Sequence, residues 1–214
     1  MQDELRGAFA RWGLPEEVRV DNGGPWGSAG DLPPELALWL IGLGIVVVWN
    51  DPRSPQQNGI VERSQGTGKR WAEPDRCDSI EELRQHLQEM DSIQREAYPS
   101  IAGHSRVEAF PGLRHSGKRY SRAWEERHWD VQLVLEHLAG YALPRKVDKN
   151  GDVWLYHRPH YVGCMHRGKH IFVMVDPQRA EWVFADAQGQ QLRTQAAPEL
   201  AAERIRSLTV SKRG

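Results

Sequence analysis

Arg53-Ser54-Pro55-Gln56-Gln57-Asn58-Gly59-Ile60-Val61-Glu62-Arg63 puts an acid on an expected helix, reached through a Pro/Asn/Gly loop, 41 residues after Asp21. Working outward from that stretch sets the fold of the first 75 residues. Glu17 to Val20 reads as a short strand that delivers Asp21 at its carboxyl end, and Asn22-Gly23-Gly24-Pro25 then turns the chain. Pro33-Pro34 opens a helix running through Leu43 that is apolar nearly all round and therefore buried. Ile45-Val46-Val47-Val48-Trp49 is a β-branched run of the kind expected for a strand covered on both faces. Upstream, Met1, Leu5, Ala8, Phe9 and Trp12 share one helical face, and Gly13-Leu14-Pro15 stops that helix. Helix, strand, helix, strand, helix predicts an α/β layer with parallel strands.

Further along, Asp78 and Glu81 read as a capping box for an amphipathic helix with the apolar stripe Ile80, Leu83, Leu87, Met90, Ile93 and Ala97. Residues 100–120 read as an irregular linker, and Ser121 to Leu138 as one further helix. From Leu143 the period becomes strand-like. Lys149-Asn150-Gly151 predicts a hairpin turn, and five short strands in about 50 residues predict a small barrel. Pro198 to Leu208 reads as a closing helix. The expected division is an α/β segment over 1–75, a helical linker region over 76–141, a small β-barrel over 142–195, and a C-terminal helix and tail over 196–214.

The 214 residues carry a formal net charge of −1, unevenly spread. Residues 1–110 hold 11 Lys and Arg against 18 Asp and Glu, whereas residues 111–214 hold 17 against 11; the basic half is compatible with phosphate contacts, while the total of −1 counts against tight DNA binding by this chain alone. Cys77 and Cys164 are far apart with no C-x-x-C, which argues against a disulfide scaffold and for a reducing, cytoplasmic setting. The longest apolar run, Leu36 to Val48, is too short to span a bilayer, and no signal peptide is read at the start. No G-x-S-x-G, P-loop or G-x-G-x-x-G occurs, which excludes the serine hydrolase, NTPase and dinucleotide-binding patterns.

An acid at a strand end and another on the first turn of a neighbouring helix can converge on divalent metal ions that activate one oxygen and stabilise another in phosphodiester attack. Oxygen ligands of this kind suit Mg²⁺. Taken singly, Asp21 has a simpler reading as an Asx-turn residue before Gly23, and Glu62 as a helix cap. Taken together with Pro55, Asn58-Gly59 and Arg63 at their spacings, they favour the metal-dependent reading.

These motifs, Asp21-Asn22-Gly23, Leu43-Gly44-Ile45 and Pro52-x-Ser54-Pro55-Gln56-x-Asn58-Gly59-x-Val61-Glu62-Arg63, resemble the integrase core of the DDE transposase and retroviral-integrase superfamily, over residues 1 to about 73. The resemblance implies part of an RNase H-like fold whose Asp, Asp and Glu bind two Mg²⁺ or Mn²⁺ ions. It makes Asp21 the second acid and Glu62 the third, both catalytic and metal-binding. It places Asn58, Arg63, Lys69 and Arg70 near DNA, although a solvated helix position is an equal reading of Lys69. The family's first acid sits on an earlier strand, which this chain is expected to lack, since Asp3 opens a helix. Gly66 and Gly68, inside the catalytic helix, are a second departure. The region from Arg145-Lys146-Val147 through Tyr161-Val162-Gly163 resembles the SH3-like barrel of phage Mu-type transposases, and implies DNA contacts from Arg145 and Lys146.

The expected function is thus that of a transposase or integrase acting on DNA, truncated, lacking the first catalytic Asp, and with little or no activity alone. Its partners would be the element ends, the target DNA, and a second copy or a full-length transposase. The competing class is a non-catalytic DNA-binding remnant or inhibitor; an RNase H-like nuclease needs the same absent acid. His157, His160, Cys164, His166 and His170 fit no structural zinc spacing and read as barrel-surface and loop residues. Most of the nine tryptophans read as core.

Overall fold

A computed structural model describes residues 1–27, 30–51, 53–54 and 59–208. They form a mixed α/β protein organised in two compact units, neither continuous in sequence. Unit one comprises Met1–Asp3, Glu16–Asp51 and Ser121–Gly214; unit two comprises Glu4–Pro15 and Pro52–Tyr120. Residues 1–75, expected to be one segment, are therefore shared between the two units.

In unit one, β1 (Glu17–Val20) and β2 (Val46–Trp49) are parallel, in register from Glu17 opposite Val46 to Val20 opposite Trp49, as expected. The connection is α2 (Glu35–Gly42), in which every residue from Leu36 to Gly42 is buried. β2 is not covered on both faces, because Val46 is more than half exposed. A two-stranded sheet with one helix across it has a face left over.

The expected single helix over 121–138 is two: α6 (Arg122–His128) and α7 (Val131–Ala139). The break has a cause. Trp129 leaves the helical conformation, and its indole packs so closely on Gly42 that a Cβ there would overlap the ring. Its Nε1 donates to the Trp39 carbonyl at 3.0 Å, while Trp39 Nε1 donates to the buried Glu125 carboxylate at 3.0 Å. Asp130 then caps α7 by accepting from the Gln132 backbone N–H at 2.8 Å.

Six strands follow: β3 (Leu143–Lys146), β4 (Asp152–Leu155), β5 (Arg158–Tyr161), β6 (His170–Asp176), β7 (Glu181–Ala185) and β8 (Gln191–Ala196). Among the described residues they do not close into a barrel. An antiparallel sheet β3-β6-β7-β8 stands beside a separate β4–β5 hairpin. The Asn150-Gly151 turn exists, with Gly151 at φ 89°, yet β3 and β4 belong to different sheets and are no hairpin. Asp148 takes the backbone N–H groups of Asn150 and Asp152 at 2.8 and 3.0 Å and makes the turn a corner between layers. Ile171, Val173, Val175, Trp182 and Phe184 supply the buried face of the sheet, and Val153 and Leu155 that of the hairpin. The closing helix shortens to a 3₁₀ turn (Pro198–Leu200) and α8 (Ala202–Arg206).

Helix α1 (Gln2–Trp12) opens the chain, and its buried positions Gln2, Arg6 and Phe9 lie one residue off part of the expected stripe. In unit two, Phe9 meets Tyr120 edge-on at 5.8 Å, and Arg95 lies 4.5 Å over the Trp12 ring. The unit also holds α3 (Gly59–Ala72), α4 (Ile80–Ser92) and α5 (Arg106–Ala109). Capping of α4 falls one residue later than expected: Ser79 accepts from the Glu82 N–H at 3.1 Å, and the Glu82 carboxylate accepts from the Asp78 N–H at 2.8 Å. None of the α4 residues is buried, so its predicted apolar stripe, with Ile80 and Leu87 exposed, is not a core face here. The helix ends in a π-turn (Ile93–Ala97) closed by the Tyr98 N–H on the Ile93 carbonyl at 2.8 Å. Among the described residues no helix is long and apolar enough to cross a membrane.

Candidate functional site

β1 ends at Val20, and Asp21 is the next residue, exposed at the carboxyl end of a parallel strand pair. Ligands of open α/β sheets gather at that end. The geometry there is held by neighbours of Asp21. Asn22 Nδ2 donates to the Asn50 carbonyl at 2.7 Å, and the Asn50 N–H donates to the Val20 carbonyl at 2.8 Å, so the two strand ends are tied together. The loop beyond Asn22 folds back through the Gly23–Gly27 bridge, and the Trp26 carbonyl accepts from Trp49 Nε1 at 2.7 Å. Asp51, not among the expected site residues, lies two residues past β2, exposed at the same sheet end. The signal is an acid close behind an expected strand, here with Asn50 between Trp49 and Asp51.

Glu62 sits in the first turn of α3 in unit two, exposed. Neither Asp21 nor Glu62 has an ion-pair partner among the described residues. Each belongs to its own unit. Asn58 lies outside the described residues, as do Pro52 and Pro55 to Gln57. On α3, Lys69 is exposed, Arg70 Nε donates to the Gly66 carbonyl at 3.3 Å, and Arg63 lines a cavity within unit two. The exposed carboxylates are hard oxygen donors of the kind that hold Mg²⁺ or Mn²⁺. Among the described residues, no group of three or more His, Cys, Asp or Glu side chains comes together as a metal cage. The donor chemistry of Asp21 and Glu62 fits such an ion.

The two basic residues singled out on β3 differ. Arg145 is ion-paired to Asp31 and also donates to its neighbour's Pro144 carbonyl at 3.1 Å. Burial pushes the Asp31 carboxyl up, but Arg145 and the Leu32 N–H outweigh it and hold the group below its ordinary value. Lys146 is exposed and lines a concavity shared with Lys149 and Arg167, two cations the sequence reading did not single out. Those three converge because β3 and the turn after β5 flank the Asp148 corner. Arg167 also approaches the Cys164 sulfur at 3.0 Å; with the Tyr161 hydroxyl as the larger cause, it lowers that thiol from its ordinary range.

His160, expected on the surface, is buried. Its Nε2 bonds Glu199 Oε1 at 2.9 Å and its Nδ1 faces Gln195 Oε1 at 3.2 Å. Glu199 Oε1 also accepts from Trp182 Nε1. Hairpin, sheet and 3₁₀ turn therefore meet on one carboxylate. A comparison with the models of known protein families finds no match.

Proposed function

We propose that this chain is part of a DDE-type DNA transposase or integrase, with Asp21 and Glu62 as two of its three metal-binding acids. The observation that carries the reading is the exposed Asp21 at the carboxyl end of a parallel β–α–β pair, combined with Glu62 in the first turn of the helix that follows. The parallel pair β1–β2, its crossover α2 and then α3 are the elements an RNase H-like core would supply at this point. The four-stranded sheet with its hairpin is compatible with an SH3-like module that contacts DNA. When bound, divalent ions supply activation of the attacking oxygen and stabilisation of the leaving one. The protein's part is to hold carboxylates for those ions, and to clamp the phosphate backbone with cations such as Lys69 and Lys146. A third carboxylate, beyond Asp21 and Glu62, is required for that chemistry.

The decisive experiment incubates supercoiled plasmid with the chain and Mg²⁺ or Mn²⁺, beside a salt titration of DNA binding. Salt-sensitive binding with little nicking is the expected result. Metal-dependent nicking lost in Glu62→Gln would establish a complete enzyme. Absence of both nicking and binding at low salt would overturn the reading.

The second reading is a DNA-binding protein without catalysis, favoured by the concavity of Lys146, Lys149 and Arg167. It expects binding that survives Glu62→Gln and requires residues 143–193.

A further inference from the structure

Unit two contains a cavity of about 590 Å³ beside α3, lined by cations, amide and hydroxyl groups, and aromatic rings. Its cations are Arg63 and Arg106, and none of its lining side chains is acidic. Among the described residues neither guanidinium is ion-paired. That is unexpected in the acidic half of the chain, where 18 Asp and Glu face 11 Lys and Arg over residues 1–110. Arginines without an ion-pair partner on one cavity wall can receive an anion, and planar guanidinium groups suit phosphate in particular.

Phosphate alone would leave most of the space unused. The rest of the wall is Tyr98 and Phe110 with Ile101 and Leu113. Phe110 is 56% and Tyr98 46% exposed, and Tyr98 is braced edge-on by Trp71 at 5.2 Å between ring centroids. Exposed rings beside cations are the composition of a surface on which nucleic-acid bases stack.

The third component is Gln94, which lines the same cavity at 7% exposure. It is delivered by the π-turn at the end of α4, a rare conformation that is frequent at functional sites. The Gln94 Oε1 accepts from the Ser64 hydroxyl at 3.3 Å, and its amide nitrogen makes no hydrogen bond among the described residues. An amide nitrogen with a spare donor on the cavity wall matches the acceptor atoms of a base edge.

We propose that this cavity receives one unstacked nucleotide of a DNA end, with Arg63 and Arg106 on its phosphate, Tyr98 and Phe110 against its base, and Gln94 on the base edge. The inference rests on the DNA-binding reading above and gives it a site for an unpaired terminus, one residue along α3 from Glu62.

The test measures fluorescence anisotropy of the full chain with a blunt duplex and with the same duplex carrying a short single-stranded thymidine overhang. The overhang should bind about 10-fold more tightly. Arg106→Gln and Phe110→Leu should each erase that preference and leave blunt-duplex affinity and thermal unfolding unchanged. Equal affinity of the unaltered chain for both DNAs would overturn the cavity assignment while leaving DNA binding standing. Equal weakening toward both DNAs in Phe110→Leu would also overturn it, because a structural role moves both. Failure to bind either DNA would remove both readings together.

Discussion

Glu199 is a fully buried carboxylate that takes hydrogen bonds from the His160 and Trp182 side chains and from its own backbone N–H, and whose Oε2 has no partner among the described residues. Burial raises its pKa, but His160, the backbone N–H and Trp182 together outweigh burial and the net shift is downward from 4.5. A carboxyl lowered on folding contributes stability above its unfolded value and loses it as pH falls through the folded one. Unit one should therefore lose stability progressively below about pH 4.5, and Glu199→Gln should flatten that acid limb in urea titrations followed at several pH values. Removing the partner acts at neutral pH: His160→Ala takes one donor from a buried carboxylate and should cost about 2 kcal/mol by chemical denaturation. At Gly42 the constraint is space, since any Cβ must displace the Trp129 indole. Gly42→Ala should cost about 1–3 kcal/mol and blue- or red-shift the tryptophan emission. Of these residues only the buried tryptophans were legible beforehand. His160 was misread because a five-residue His/Cys crowd on short strands says nothing of which member meets a carboxylate 39 residues later.

Among the elements, α3 runs unbroken through Gly66 and Gly68 despite their poor helix propensity. A Cβ at Gly66 would meet nothing within 4 Å. Gly66→Ala should therefore stabilise unit two by about 1 kcal/mol, seen as a higher denaturation midpoint with an unchanged slope. The α2 helix is readable because the positions after Glu35 are apolar, and β2 because it is an unbroken Val-Val-Val-Trp run. The β4–β5 hairpin was not, because its two-residue turn is Tyr156-His157 at φ 45° and 67° in place of Asn-Gly. Long-range contacts hold it: the Tyr156 hydroxyl donates to the Pro33 carbonyl at 2.7 Å, its ring stacks on Trp182, and burial raises its phenol pKa. The α4 stripe failed for the opposite reason, as a helical period marks one face without supplying anything to cover it.

For the molecule as a whole, sequence showed where the charged groups stand more readily than which are available. Asp21 and Glu62 lie on the expected elements, while Arg145 is taken by Asp31, and the Lys146, Lys149 and Arg167 concavity depends on a chain corner no local pattern reports. If that concavity meets phosphates, Lys146→Gln with Lys149→Gln should lower the slope of log affinity against log salt by about 2, measured by anisotropy on duplex DNA. An unchanged slope would place the DNA surface elsewhere.

The split of unit one has a consequence for how the protein is made. Its most apolar helix, α2, receives the Trp129 ring and the Glu125 carboxylate from beyond Ser121, after the whole of 52–120 has been synthesised. A ribosome adding about 5–20 residues per second thus releases α2 several seconds before its cover exists. During that interval the nascent helix is a ready target for chaperones that hold unfolded chains, and nascent chains arrested before residue 121 should stay associated with them.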